Sequence, residues 1–264
     1  MRKILLIALT ALLSVSADAQ IARSLSAIAV PAREPVRARS FDGMNDRLDF
    51  GSDSSIDGDG STTFVQKTIS FWMSHSGTDA DCIIAKDRAS AAWEVDVRAN
   101  GSGGQIRFLS QWSGALGFWD ATSNVSSGLH HIVITYDGSS TSNDPIIYID
   151  GVSESLTEGG APSGSLNSDA AASLLMGETG AGGSDYTGLL SHLNYTDAIW
   201  DAAQVNRARW YGTPGGAVKI YQLMITTDLT NKGTATANGT ATGTTTATLP
   251  RVERASGALL GVGR

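Results

Sequence analysis

The stretch Ala92-Trp93-Glu94-Val95-Asp96-Val97-Arg98, the turn Asn100-Gly101, and then Gln105-Ile106-Arg107-Phe108-Leu109-Ser110-Gln111-Trp112 decide the fold class. Polar and apolar residues alternate with period two through the first run, as a strand with one buried face requires. Trp93, Val95 and Val97 point toward a core, and Glu94, Asp96 and Arg98 share the opposite face. Asn-Gly starts the turn into the second strand.

The same grammar extends outward in both directions. Arg47-Leu48-Asp49-Phe50, Thr68 to Met73 and Asp81 to Ala85 have strand patterns. So do His130 to Tyr136, Pro145 to Ile149, Leu174 to Gly177 and Gly188 to Tyr195. Glycine is abundant at 30 residues and charged residues make up 17%. Clusters of Gly, Ser, Asn and Asp separate the short apolar runs, which is the punctuation of an all-β sandwich. One helix is expected near residues 202–211. Asp201 is its N-cap, Gln204 completes a capping box, Trp200 and Val205 form a staple, and Gly212 ends it. It should cover an end of the sandwich. The Thr-rich stretch 230–248 is expected to supply a closing strand pair.

Residues 1–19 read as a signal peptide. Arg2 and Lys3 precede the apolar run Ile4–Val15, and Ala17 and Ala19 form an A-x-A cleavage pattern. A lead-in at 20–37, a sandwich at 38–250 and a loose tail at 251–264 complete the expected organisation. The mature chain is then secreted or periplasmic. No later run reaches the roughly 18–20 apolar residues of a spanning helix. The net charge of −7 argues against nucleic acid as a partner. Cys82 is the single cysteine, so no intramolecular disulfide can form.

Five segments, in order, resemble the laminin-G-like and pentraxin-like domains of the concanavalin A-like lectin/glucanase superfamily. They are Ser40-Phe41-Asp42-Gly43-Met44-Asn45-Asp46-Arg47-Leu48, Thr68-Ile69-Ser70-Phe71-Trp72, Gly128 to Gly138, Ile147-Tyr148-Ile149-Asp150-Gly151, and Gly188 to Val205. Leu129 stands where the family usually has Trp. The resemblance implies two antiparallel sheets in jelly-roll order. The fold hosts lectins, adhesion modules and glucanases, so function must be argued from a site.

Catalysis is disfavoured. Glu94-Val95-Asp96-Val97-Arg98 resembles the glucanase E-x-D-x-E strand, but Arg98 occupies the position of the acid/base. A guanidinium cannot protonate a leaving group near neutral pH. No G-x-S-x-G motif is present, and His130 and His131 point to opposite faces of one strand.

Three binding readings follow. The first is a carbohydrate or glycoconjugate ligand, held by aromatic faces beside amides and carboxylates. Gln111, Trp112, Trp119 and Asp120 are the candidates. Trp112 shares a strand face with Ile106 and Phe108 and reads as core, whereas Trp119 is expected to be the exposed ring. The second is calcium support, from Asp42, Asn45 and Asp46 in one turn and Asp57 and Asp59 in another. Turn chemistry explains the same residues, and Ser191 and His192 stand where many relatives carry two Asp residues. The third is a structural, adhesive or phage-like appendage domain without a small ligand.

Overall fold

The structure is a computed structural model. It describes residues 37–57, 64–75, 80–86, 92–99, 104–125, 128–170, 172–179, 184–215, 218–222, 233 and 238–248. The expected signal peptide, lead-in residues 20–36, Asp59 and the tail 251–264 lie outside the described residues.

Among the described residues, two antiparallel sheets of eight strands form the sandwich. Sheet one comprises β1 (Arg37–Asp42), β3 (Gln66–His75), β8 (His130–Asp137), β9 (Ile146–Ile149), β10 (Val152–Ser153), β13 (Thr187–Thr196), β14 (Ile220–Gln222) and β16 (Thr245–Thr248). Its order is β10-β9-β8-β3-β13-β1-β16, with β14 also on β13. Sheet two comprises β2 (Arg47–Asp49), β4 (Asp81–Lys86), β5 (Trp93–Ala99), β6 (Gly104–Ser110), β7 (Gly117–Val125), β11 (Leu156–Gly160), β12 (Leu175–Met176) and β15 (Thr240–Thr242). Its order is β11-β7-β6-β5-β4-β12-β2-β15.

Strand alternation builds the core. Ile69, Phe71 and Met73 of β3 and Ile132, Ile134 and Tyr136 of β8 meet Trp93, Val95, Val97, Ile106 and Phe108 of sheet two. The expected closing pair forms, but it divides. β15 pairs with β2 in sheet two, and β16 pairs with β1 in sheet one. Gly243, at φ 74°, makes the turn between them.

The helix α1 (Ala202–Tyr211) has the caps its sequence predicts. Asp201 accepts from the Gln204 amide, Gln204 reciprocates, and Gly212 is left-handed. Its position differs from the expectation. Val205 and Ala208 pack with Trp200 and Val218 on Val133 of β8 and Tyr148 of β9. Those two strand residues point away from the sandwich core, so α1 covers the outer face of sheet one and not an end. The reason lies in the strands: β8 is buried at Ile132 to Tyr136 without interruption, which needs cover on both faces.

β13 carries a bulge between Ser191 and Asn194, where His192 adopts φ 52°. Asn194 Nδ2 donates to the Gly212 carbonyl at 3.0 Å, joining the bulge to the end of α1.

Candidate functional site

The outer face of sheet two carries a group of ionisable and amide side chains on regular strands. Register places them in rows. Asp96 faces Arg107 across β5 and β6, Arg107 faces Asp120 across β6 and β7, and Asp120 faces Thr157 on β11. Above that row Arg98 faces Gln105. Below it Glu94 faces Leu109, Leu109 faces Phe118, and Phe118 faces Gly160.

Arg107 and Asp120 form a two-pronged ion pair, with Nε to Oδ1 at 2.6 Å and the second guanidinium nitrogen to Oδ2 at 2.7 Å. This fork is a geometry only arginine offers. The same guanidinium lies 4.4 Å from the centre of the Phe118 ring. Gly159 and Gly160 close the other side of that ring, because a β-carbon on either would collide with it. Phe118 is therefore clamped flat between an arginine and a glycine pair.

Asp96 sits at one end of the charge row, on β5. Its pKa is pushed up to about 9, first by burial and then by the Glu94 carboxyl it hydrogen-bonds; Arg107 and Arg98 pull the other way. At neutral pH Asp96 thus keeps its proton. A shallow cleft beside the pair is lined by Ala92, Trp93, Glu94, Leu109 and Gln111.

The four residues expected to hold a ligand divide evenly. Gln111 and Asp120 lie half-buried on this outer face. Trp112 is 6% exposed and belongs to the core. Trp119 corrects the expectation outright. It is 1% exposed, stacks on Phe108 with 6.2 Å between ring centres, and donates Nε1–H to Asp144 at 2.9 Å. Trp119 has the parity of Ala121, also buried, so β7 turns this ring inward and Phe118 outward. Phe118 and Arg107 are the site residues that sequence reasoning missed.

Of the expected calcium residues, Asp42, Asp46 and Asp57 have other partners in the fold. Asp57 is buried against Lys86, where an ammonium already meets the carboxylate. Asp46 Oδ2 accepts from the Asp42 amide at 2.8 Å, and Asp42 Oδ1 accepts from the Met44 amide at 3.0 Å. That is turn chemistry. Ser191 Oγ bonds to His192 Nδ1 at 2.7 Å on the bulge of β13. Among the described residues, Cys82, Glu94 and Asp96 bring ligand atoms within 4.8 Å of one another. A cation there would have to displace the Asp96 proton.

A glycosidase needs two carboxyl groups that bracket the scissile bond. Glu94 and Asp96 lie close together on one face of β5, and Arg98 follows them on the same face.

A family model described as the concanavalin A-like lectin/glucanases superfamily matches residues 42–206. The native heptameric SAP-like pentraxin from Limulus polyphemus is similar, with a TM-score of 0.54 at 12% identity over 81% of this chain and 96% of the pentraxin. A putative carbohydrate binding protein from Bacteroides ovatus gives a TM-score of 0.57 at 14% identity over 83% of this chain. The chain spans 61% of that protein's length. No curated protein sequence matches the chain. At these identities the solved structures show a shared fold, and the family match, over more than half the length, shows the lineage: the chain belongs to the concanavalin A-like lectin/glucanase superfamily.

Proposed function

We propose that the chain is an exported, non-catalytic lectin-like domain that binds extracellular carbohydrate or a glycosylated surface on the outer face of sheet two. The observation that carries this reading is the row Asp96–Arg107–Asp120, with Glu94 beside it and Gln105 and Gln111 flanking. Sugar hydroxyls both donate and accept, so they need fixed partners of both kinds. Here the donors and acceptors are held by strand register and by the arginine fork, so little order must be gained on binding. The clamped Phe118 and Leu109 give the row an apolar border.

The family includes glucanases as well as lectins, and the non-catalytic assignment rests on residues of this chain. The carboxyl pair is closed on itself and a guanidinium stands in the acid/base position. Export rests on the n-, h- and c-regions of residues 1–19.

The test is thermal melting of the protein across a panel of soluble polysaccharides. A ligand specific to the native state at a hundredfold excess over its Kd adds about 2.7 kcal/mol. A saturable rise with one glycan, lost in Glu94→Gln or Arg107→Ala, supports the assignment. A panel-wide absence of any rise would move the reading to a structural or adhesive module. Release of reducing sugar from a β-glucan by the wild type, abolished in Glu94→Gln, would make it an enzyme.

A further inference from the structure

A second cluster of acids and bases lies inside the sandwich and takes no part in the outer face. Lys86 is the last residue of β4 and turns inward, opposite Trp93 in register. Its side chain is 0% exposed, with Asp57 at 2% and Asp169 at 0%. Lys86 Nζ is in contact with Asp57 Oδ1, lies 3.8 Å from Asp169 Oδ1, and donates to the Ile56 carbonyl at 3.2 Å.

Each partner is held in place. Asp57 closes the 3-10 turn Ser54–Ile56, with its own amide on the Ser54 carbonyl. Asp169 Oδ2 accepts from Trp93 Nε1 at 3.0 Å. Trp93 packs against Tyr195 at 5.5 Å, and Tyr195 against Phe64 at 5.4 Å, so aromatic rings wall the cluster. Lys67, 1% exposed, also feels Asp169.

We propose that the folded chain closes an intramolecular amide bond between Lys86 Nζ and the side-chain carboxyl carbon of Asp57, with Asp169 carrying the protons. The amine nitrogen attacks Asp57 Cγ and forms the C–N bond. A C–O bond of Asp57 then breaks and the oxygen leaves as water. Lys86 goes from ammonium to amide by losing two protons. Asp169 takes each from nitrogen and passes it to the departing oxygen, ending unchanged. No oxidant, metal or co-reactant enters the balance.

Three features favour this outcome over a permanent ion pair. A nucleophile in contact with its electrophile, inside a rigid fold, has a very high effective concentration. Burial lowers the Lys86 pKa to about 8, against the opposing pull of Asp169, so the reactive free amine is nearer than on a surface lysine. Condensation also replaces a buried cation and a buried anion by a neutral amide, removing a desolvation penalty and leaving Lys67 to face Asp169. A chain with a single cysteine has no disulfide with which to make an equivalent internal link.

The experiment is the intact mass of the full chain, purified folded and measured denatured. The expected mass is about 18 Da, one water, below that of the polypeptide, with a branched Lys86–Asp57 peptide in the digest. Lys86→Arg keeps the cation and should restore the full mass, as should Asp57→Ala. Asp169→Asn keeps both reacting groups but lacks the proton carrier, so it should also lose the modification. A folded wild type of full mass overturns the proposal. Asp57-Gly58 could lose water as a succinimide instead. That product would survive Lys86→Arg and give no branched peptide, and it too overturns the proposal.

Discussion

Two groups of charged side chains lie on opposite sides of one pleated sheet. Trp93 turns inward and donates to Asp169, while the next residue, Glu94, turns outward and hydrogen-bonds to Asp96. Lys86, at the end of the adjoining strand, joins the inner group. The inner group is sealed: its lysine and two aspartates are essentially without exposure. The outer group keeps contact with water, with the Arg107 and Asp120 side chains 15% and 20% exposed. Closure makes the inner charges costly and chemically confined. Access leaves the outer charges open to solvent and to the proposed ligand. One step along a strand separates the two regimes.

The comparison breaks first at Lys86. Replacing it with Met leaves Asp57 buried without its cation and removes one of the two lysines that face Asp169. Losing one member of a buried pair costs about 3–5 kcal/mol. If the amide bond forms, its loss also frees a loop of nearly thirty residues, worth about 3–4 kcal/mol by analogy with a disulfide. Urea unfolding measures both. Lys86→Met/Asp57→Leu should regain part of the first loss and none of the second. A single variant within about 1 kcal/mol of wild type would mean that the inner group is not a structural tie.

Trp119→Ala comes next. The ring is fully enclosed against Phe108 and Tyr136, so its removal should cost about 3–5 kcal/mol and leave Asp144 without its indole donor. Had Trp119 been a sugar platform, the same change would cost binding and little stability. Unfolding midpoints and glycan titrations on this one variant separate those roles.

Much of the architecture was legible because its signals are local. The capping box at Asp201 and Gln204, Gly212, and the alternation from Trp93 to Arg98 are each written within a few residues. The face of β7 was open to misreading. Phe118 and Trp119 are adjacent aromatics, and exposing one or the other depends on the phase of the strand; Ala121 and Val125, both buried, were the available clue. The placement of α1 was not local, because it depends on which outer-face strand residues, Val133 and Tyr148, are left uncovered. The inner cluster had no signature at all. Asp57, Lys86 and Asp169 are far apart in sequence and are joined only by sheet order. The Arg107–Asp120 fork likewise needed the β6–β7 register, in which an irregularity between Gln105 and Arg107 fixes the pairing.

Asp96 offers a finer test through pH. Its folded pKa is raised to about 9, above that of an unfolded aspartate. A raised carboxyl contributes stability that is complete below the unfolded pKa and is lost as pH rises through the folded one. Asparagine does not titrate. The stability of wild type relative to Asp96→Asn should therefore fall as pH rises from about 4 toward 9. His131 slopes the opposite way at lower pH. Its burial pushes the pKa down to about 3, so stability is lost as pH drops from about 6.5 toward 3. Because His131 is present in both proteins, it cancels in the comparison. Parallel curves for wild type and Asp96→Asn would show that Asp96 titrates as an ordinary surface acid, and the raised pKa of this carboxyl would be refuted.

The smallest expected change in stability belongs to Arg107, and that is what makes it useful. A partly exposed ion pair contributes about 0–1 kcal/mol, so Arg107→Ala should unfold within about 1 kcal/mol of wild type. In the proposed recognition its place is different. It is the only donor in the row between two carboxyl groups, and it holds the Phe118 ring flat. Losing a charged donor from a ligand contact costs about 1.5–3 kcal/mol, a weakening of glycan affinity on the order of tenfold to a hundredfold. Arg107→Lys keeps the charge but not the fork, so it should bind nearly as poorly as Ala while folding equally well. If Lys instead restores affinity, the face acts through net charge alone and the register of the row is irrelevant to it. If both variants bind as wild type does, the ligand lies elsewhere, since no glycan could occupy this row without meeting the guanidinium at its centre.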